Sequence, residues 1–264
     1  MEIIDSHAHI YPQKIAEKAT VAIGEFYDIQ MENKTGTVEN LLKDGSKIGV
    51  SKYVVHSVAV TEHQVQAINR FLKEQLDNHK EFIGFMALHQ DMTEQQIQEE
   101  VDWCIENGFK GIKMHPDFQK FYVDGEKAQK IYKIVGDKLP ILLHIGDARY
   151  DYSCPERLVR VAKLFPEVTF ICAHMGGYSR WNEWEIYKGI ENIYFDTCSS
   201  LPFISSDMAK QIIKGLGVDK FFFSTDFPMW DAKGEFERFN KIDLTKNERE
   251  LILSKNLKKL LKIG

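Results

Sequence analysis

The sequence opens on an apolar run that ends in the polar stretch Asp5-Ser6-His7-Ala8-His9. Side chains at alternate positions of a strand point to the same side, so Asp5, His7 and His9 are predicted to face one way. Neutral imidazole nitrogens and carboxylate oxygens are ligands that divalent cations take in proteins. The spacing of the two histidines suits a metal site at the end of the first strand, although the pair alone is a weak signal.

Four further residues with the same chemistry each close an apolar run later in the chain: His115, His144, His174 and Asp226. Burying several imidazoles and a carboxylate together costs about 1–3 kcal/mol for each group left without a partner. A divalent cation relieves that cost, and we therefore predict that these residues converge on a metal ion. The remaining histidines are expected to be ordinary hydrogen-bonded side chains. They are His56, His63, His79 and His89.

Eight short runs rich in β-branched and aromatic residues recur along the chain and predict eight strands. They cover residues 3–4, 52–58, 82–88, 110–115, 141–145, 168–174, 192–197 and 220–225. The runs are apolar almost throughout, which is typical of parallel strands that are covered on both faces.

Helix signals lie between these runs. Thr61 with Gln64, and Thr93 with Gln96, predict capping boxes at the start of two amphipathic helices, the second of which should stop at Gly108. Further helices are predicted to start at Pro155, to be capped by Ser205 or Ser206, and to cover residues 246–262.

The alternation of strands and helices, without a linker rich in Pro, Gly or Ser, predicts one domain over residues 1–264 with an eight-stranded (β/α)8 TIM barrel. An open doubly wound sheet is the rival, but no glycine-rich turn follows the first strand. Residues 11–49 are longer than one helix needs and predict an extended first crossover: a helix over 12–24, an inserted loop, and a short helix over 38–48. Active sites of such barrels lie at the carboxyl ends of the strands.

The bulk composition narrows the class of partner. A formal net charge of −5 disfavours nucleic acid, and no run approaches the roughly 18 apolar residues of a membrane span. The four cysteines are scattered, and Asp5 interrupts the only early apolar run, so a reducing, cytoplasmic location without a signal peptide is expected. The expected partner is a small-molecule substrate, with no membrane and no nucleic acid, and a homodimer is left open.

The motifs around the candidate ligands resemble the amidohydrolase-related family. They are Ile4-Asp5-Ser6-His7-Ala8-His9, Leu143-His144, Ala173-His174-Met175-Gly176-Gly177 and Ser224-Thr225-Asp226-Phe227-Pro228. That family comprises metal-dependent TIM-barrel hydrolases and decarboxylases. The resemblance implies that His7, His9, His144 and Asp226 hold one divalent ion, usually Zn²⁺. It also implies that His174 polarises the substrate or serves as an acid or base.

The fourth strand leaves one alternative open. Binuclear relatives such as dihydroorotases bridge two metals with a carbamylated lysine on this strand, and Lys113 could take that role here. We favour a lysine that pairs with an acid or reaches towards solvent, and hence a single metal. TatD-type deoxyribonucleases also begin with a histidine pair, but they carry a glutamate motif that is missing from this strand.

The predicted chemistry is that of a metal-activated water. Asp226 would orient the water and accept its proton, while His174 would stabilise the developing oxyanion. Asp5 would either orient an imidazole N–H or only tie down the end of the strand. His115 is predicted to line the substrate pocket. Arg149 would either bind a substrate carboxylate or brace its own loop through Asp147 or Asp151.

We therefore predict a metal-dependent hydrolase that cleaves a C–N or C–O bond of a small, carboxylated substrate. A metal-dependent, non-oxidative decarboxylase (a lyase) of a small unsaturated or aromatic acid is the alternative. A barrel that binds metal without catalysis is a third hypothesis, and the acid–base residues Asp226 and His174 speak against it. Mechanisms with a serine or cysteine nucleophile lack support, because the sequence has no GxSxG elbow.

Overall fold

The computed structural model describes residues 1–264, and eight parallel strands hydrogen-bond in chain order. The strands are β1 (Ile3–His9), β2 (Val50–His56), β3 (Phe82–Ala87), β4 (Gly111–Met114), β5 (Ile141–Leu143), β6 (Phe170–Cys172), β7 (Ile193–Asp196) and β8 (Phe221–Phe222). Helical segments alternate with the strands along the chain. The predicted (β/α)8 fold class is confirmed.

An α-helix follows every strand except β6, after which a 3-10 segment, Trp181–Tyr187, leads to β7. The α-helices are α1 (Gln13–Tyr27), α2 (Val38–Ser46), α3 (Val65–Asn78), α4 (Glu94–Glu106), α5 (Pro116–Gln119), α6 (Glu126–Val135), α7 (Pro155–Leu164), α8 (Ser206–Leu216), α9 (Ala232–Asn240), α10 (Lys246–Glu250) and α11 (Asn256–Leu261). A π-helical segment, Leu251–Lys255, joins α10 to α11 into one final helix, as predicted. None of the helices is long and apolar enough to cross a membrane.

The chain groups into two compact units. The first combines Met1–His56 with Asp196–Gly264, and the second is Ser57–Phe195. In the first unit β1 pairs with β2 from Ile3 to His9, and side chains such as Ile4, Val54 and Phe223 are fully buried around them. In the second unit β3, β4, β5 and β6 pair in sequence. One domain over residues 1–264 stays a prediction.

All eight predicted strands are present, but several end earlier than their apolar runs. The last run was predicted to pair over 220–225, and only Phe221–Phe222 does so. Asp226 has a left-handed backbone, with φ of 55°, and His174 after β6 has φ of 64°. The chain turns sharply at both residues, so the polar residues that follow the apolar core leave the ladder.

Of the four residues that are predicted to cap or begin a helix between the strands, three do so and one does not. Thr93 and Gln96 form a complete capping box, Pro155 begins α7, and the Ser205 hydroxyl accepts the Met208 N–H. Thr61 makes no side-chain cap, and α3 begins only at Val65. The Gln64 side chain instead accepts the N–H of Val60, so the predicted reciprocal bond to Thr61 does not form.

The first crossover has the predicted order of helix, loop and helix. Helix α1 runs three residues beyond the expected 24 and ends at Tyr27, where Asp28 takes a left-handed φ of 53°. Helix α2 is capped by the Thr37 side chain, which accepts the N–H of Asn40. Gly108, with φ of 87°, follows the end of α4 as a left-handed stop.

Candidate active site

The histidine pair of β1 and the aspartate that follows β8 come together in the first compact unit. His7 Nε2 lies 3.3 Å from His9 Nε2, and Asp226 Oδ1 lies 3.3 Å from each of the two nitrogens. His7 is fully buried, and His9 and Asp226 are less than one-tenth exposed. We call His7, His9 and Asp226 the ligand triangle.

The dimensions of the ligand triangle fit a divalent cation. Donor atoms placed tetrahedrally at 2.0–2.1 Å around an ion such as Zn²⁺ lie about 3.3–3.4 Å apart. All three distances in the triangle are 3.3 Å. Two neutral imidazoles and one carboxylate are also a common donor set for such an ion. The spacing of these three of the four predicted ligands is therefore compatible with a shared divalent cation, and their role as ligands stays a prediction.

The carboxylate of Asp226 is held from its other side by residues that the sequence did not point to. The Ser199 hydroxyl donates to Asp226 Oδ2 at 2.6 Å, and the Trp230 indole N–H donates to the Ser199 oxygen at 2.9 Å. Short hydrogen bonds to a carboxylate are among the strong ones in proteins. These two hydrogen bonds fix the orientation of the Asp226 carboxylate, in which Oδ1 faces His7 and His9.

Asp5 faces the chain that follows β8. Its Oδ2 accepts the Thr225 hydroxyl at 2.6 Å, and its Oδ1 accepts the backbone N–H groups of Thr225 and His7. These bonds tie β1 to the segment that carries Asp226, in agreement with the second of the two roles predicted for Asp5. Burial raises the pKa of Asp5 to about 7, although the Thr225 hydroxyl and the two amides lower it.

The carboxylate that pairs with the imidazole of His7 is that of Asp196, not Asp5. His7 Nδ1 lies 2.7 Å from Oδ2 of Asp196, the last residue of β7, and both residues are fully buried. Sequence reasoning missed Asp196, because it belongs to no motif and lies 189 residues from His7.

His56 lies closer to the site than expected. Its ring packs edge-on against His9 at 4.4 Å and against His7 at 4.8 Å between centroids, and the residue is fully buried. The sequence alone predicts that His56 is an ordinary hydrogen-bonded side chain outside the site. Its position at the end of β2, level with His9 in the strand register, was the available clue.

The other three candidate histidines come together in the second compact unit. His144 Nδ1 lies 2.9 Å from His174 Nε2, and the His115 ring stacks on His144 at 4.0 Å and 9°. Phe118 stacks on the opposite face of His115 at 3.8 Å, again at 9°. The place of His144 in the metal ligand set stays a prediction.

Asp117 adds a buried carboxylate to this group. Its Oδ2 lies 3.5 Å from His144 Nε2 and accepts the Ser153 hydroxyl at 2.8 Å. Burial raises the pKa of Asp117 to about 7, and the nearby charge of Asp147 adds to the effect. Sequence reasoning did not single out this residue.

The two remaining predicted residues also lie in the second unit. The Arg149 guanidinium makes a two-pronged contact with Asp147, from Nε to Oδ1 at 2.9 Å and from Nη2 to Oδ2 at 2.7 Å. This contact corresponds to the second role predicted for Arg149, in which it stabilises its own loop through Asp147. Lys113 is only 1% exposed on β4, so it does not reach solvent. Binding of substrate by Arg149 and carbamylation of Lys113 stay predictions.

The two predicted acid–base residues share an unusual backbone conformation. His174 and Asp226 both have left-handed φ values, 64° and 55°, as does Met175 at 51°. Such conformations are uncommon outside glycine, and they cluster where a side chain must be aimed at a functional site. The Trp181 indole N–H donates to the His174 carbonyl at 3.0 Å and helps to hold that turn.

Comparisons with known proteins agree with the fold. The chain matches the amidohydrolase family model over residues 4–263, and it belongs to that family. A comparison with curated protein sequences found no match.

Solved structures with the same fold cover the full chain. A 2,6-dihydroxybenzoate decarboxylase from Rhizobium is 18% identical, with a TM-score of 0.76 and 99% of both chains covered. A dihydroxybenzoic acid decarboxylase from Polaromonas sp. JS666, solved with manganese and 2-nitroresorcinol, is 17% identical with a TM-score of 0.77, covering 99% of this chain and 97% of that one. A Novosphingobium aromaticivorans 5-carboxyvanillate decarboxylase with bound manganese has 16% identity, a TM-score of 0.79 and the same coverage.

Proposed function

We propose that this protein is a metal-dependent, non-oxidative decarboxylase of a small aromatic or unsaturated carboxylic acid. The observation that carries the proposal is the ligand triangle, in which a carboxylate that can transfer protons is fixed beside two metal-binding imidazoles. The decarboxylases with the same fold support this choice over the hydrolase that the sequence favoured.

His7, His9 and Asp226, with His144 as the predicted fourth ligand, would hold the metal. When bound, the ion would supply positive charge that attracts the substrate's oxygens and stabilises the negative charge that develops during the reaction. Manganese and zinc are both compatible with two imidazoles and carboxylate oxygen.

The residues of the chain would handle the proton. Asp226 donates a proton to the carbon that bears the carboxylate, the new C–H bond forms as the C–C bond breaks, and carbon dioxide leaves. Asp226 then regains its proton from water. Ser199 keeps the carboxylate aimed during both transfers through its 2.6 Å hydrogen bond. His174 donates a hydrogen bond to a substrate oxygen.

A hydrolase is the second candidate, because the Asp226 carboxylate is also suited to act as a general base. In that reaction Asp226 would accept a proton from the attacking water rather than donate one to carbon. A Pseudomonas putida protein assigned as a 2-pyrone-4,6-dicarboxylic acid hydrolase also shares the fold, at 16% identity and a TM-score of 0.71, with 99% and 97% of the two chains covered. Release of carbon dioxide separates the two reactions.

The experiment incubates metal-loaded protein with a panel of hydroxybenzoates, carboxyvanillate and a pyrone dicarboxylate lactone. Reactions in D₂O and in ¹⁸O-labelled water would be followed by mass spectrometry. We expect carbon dioxide and a product with deuterium at the former carboxylate position, with no ¹⁸O in the ring product. The Asp226→Asn variant should lose about 10²-fold or more in rate. The exposed His63→Gln variant should retain the wild-type rate.

Two outcomes count against the decarboxylase. Incorporation of ¹⁸O without carbon dioxide would establish the hydrolase instead. Full metal occupancy with no turnover of any substrate in the panel would favour a barrel that only binds.

A further inference from the structure

The ring of His7 has a different neighbour at each of its two nitrogens. Nε2 faces His9 and Asp226 within the ligand triangle, at 3.3 Å from each. Nδ1 faces Oδ2 of Asp196 at 2.7 Å, with Sγ of Cys198 farther away at 3.5 Å. His7 and Asp196 are both fully buried, so water does not compete for the bond between them.

The Asp196 bond determines where the proton of the His7 ring lies. An ionised carboxylate can only accept hydrogen bonds, so the partner nitrogen, Nδ1, carries the hydrogen. With a cation in place of a proton on the other side of the ring, Nε2 then presents its lone pair towards His9 and Asp226. A metal ligand must present such a lone pair, and the opposite tautomer would present an N–H there.

We infer that Asp196 is a positioning residue, which holds the His7 imidazole in the tautomer and orientation that bind the metal. The inference rests on the metal centre of the proposed function, but not on whether the reaction is decarboxylation or hydrolysis. Carboxylates that orient a metal-binding histidine typically improve metal affinity by 10- to 100-fold.

The surroundings of Asp196 suit this role, because they fix the carboxylate as well as the ring. The Cys198 thiol donates to the other oxygen, Oδ1, at 3.2 Å. The backbone at Thr197 and Cys198 is anchored, since Thr197 N–H donates to the Phe222 carbonyl and Cys198 N–H donates to the Ser224 hydroxyl. The carboxylate therefore has little freedom to turn away from His7.

Asp5 was also predicted as a residue that orients an imidazole, but it does not contact the ring of His7 through its carboxylate. Its carboxylate accepts the Thr225 hydroxyl and two backbone N–H groups, one of them the amide of His7 rather than its ring. The choice between Asp5 and Asp196 is therefore made by the side-chain contact between His7 on β1 and Asp196 at the end of β7.

The first test reads the tautomer directly in protein loaded with Zn²⁺, because in metal-free protein the Asp226 carboxylate, 3.3 Å from Nε2, would hold a proton there as well. Nitrogen-15 NMR of histidine-labelled protein distinguishes a protonated from an unprotonated ring nitrogen, and the His7 signals are assigned by their loss in His7→Asn. We expect wild-type His7 to carry its proton on Nδ1. Asp196→Asn should lose this preference, because its amide can turn an N–H towards the ring.

The second test titrates metal-free protein with Co²⁺, followed by visible absorption, and with Zn²⁺ in competition with a chelator. Asp196→Asn should bind both ions about 10- to 100-fold more weakly while retaining its circular dichroism spectrum. Glu100→Gln is the matched control. It removes another fully buried carboxylate, one that pairs with Asn69 and Arg70, and it should leave metal affinity unchanged.

The outcomes separate this inference from the proposed function. A folded Asp196→Asn protein with unchanged tautomer and unchanged affinity would overturn it. If that variant does not fold, a wild-type His7 protonated on Nε2 would overturn it equally. Lack of turnover with intact metal binding would refute the decarboxylase and leave the role of Asp196 standing.

Discussion

At the scale of single residues, the site depends on side chains that aim other side chains. Ser199 is the clearest case, because its hydroxyl donates to Asp226 Oδ2 and accepts the indole N–H of Trp230. Neither partner is near Ser199 in the sequence. Spacing and type therefore identified His7, His9 and Asp226, whereas Ser199 and Asp196 became visible only once distant strands were placed together.

Replacement of Ser199 by alanine should weaken the metal site. The change leaves a buried carboxylate oxygen and a buried indole N–H without their partner, at about 1–3 kcal/mol for each unsatisfied group. We expect a lower free energy of unfolding and Zn²⁺ binding weakened by about tenfold, measured by denaturant titration and by chelator competition.

The control for that experiment is Ser46→Ala, which removes an exposed hydroxyl bonded only to the Lys43 carbonyl. It should change neither quantity. If Ser199→Ala binds zinc as tightly as wild type, the hydrogen bonds from Trp230 to Ser199 and from Ser199 to Asp226 do not orient Asp226 for metal binding.

At the scale of elements, the sequence was informative about which segments form and less so about their ends. Apolar runs predicted all eight strands, because burial on both faces leaves a strong pattern. The ends at His174 and Asp226 differ, because a left-handed backbone depends on the turn that tertiary contacts impose. Helices α5, α6 and α9 were not predicted individually, and in α9 the fully buried Glu235 lies among the residues that face the core.

Helix α4 provides an element-scale prediction with an internal control. Thr93 caps α4 through a complete capping box, whereas Thr61 makes no side-chain cap although its sequence pattern is the same. Thr93→Ala should lower the free energy of unfolding by about 1 kcal/mol, and Thr61→Ala should leave it within about 0.5 kcal/mol of wild type. Urea titrations of both variants measure the difference. Equal losses would mean that the observed caps do not determine stability.

At the scale of the whole molecule, one buried acid should make stability depend on pH. Glu235 is fully buried on α9, with Arg238 Nη1 at 2.7 Å from its Oε1. Burial raises its pKa to about 8 despite the arginine. In the unfolded chain the same group titrates near 4.5. Between these values the folded protein holds a proton that the unfolded chain has released.

The stabilising contribution of this proton is therefore complete below about pH 4.5 and is lost as the pH rises through about 8. The free energy of unfolding of wild type should fall by a few kcal/mol over that range relative to Glu235→Gln, since each unit of pKa shift is worth about 1.4 kcal/mol. Guanidinium titrations at several pH values measure the gap.

Glu237→Gln, at an exposed position on the same helix, is the control and should follow the wild-type pH profile. A gap between wild type and Glu235→Gln that does not change with pH would show that Glu235 is ionised in the folded protein throughout.

The central claim is that His7, His9 and Asp226 hold a divalent cation, and metal content measures this most directly. Purified protein would be loaded with Zn²⁺ or Mn²⁺, desalted and analysed for metal by mass spectrometry, beside His9→Ala and Asp226→Asn and with His63→Gln as the control. We predict about one equivalent per chain in wild type and control, and far less in both site variants. Folded wild-type protein that retains no metal, or site variants that retain as much as wild type, would contradict the account.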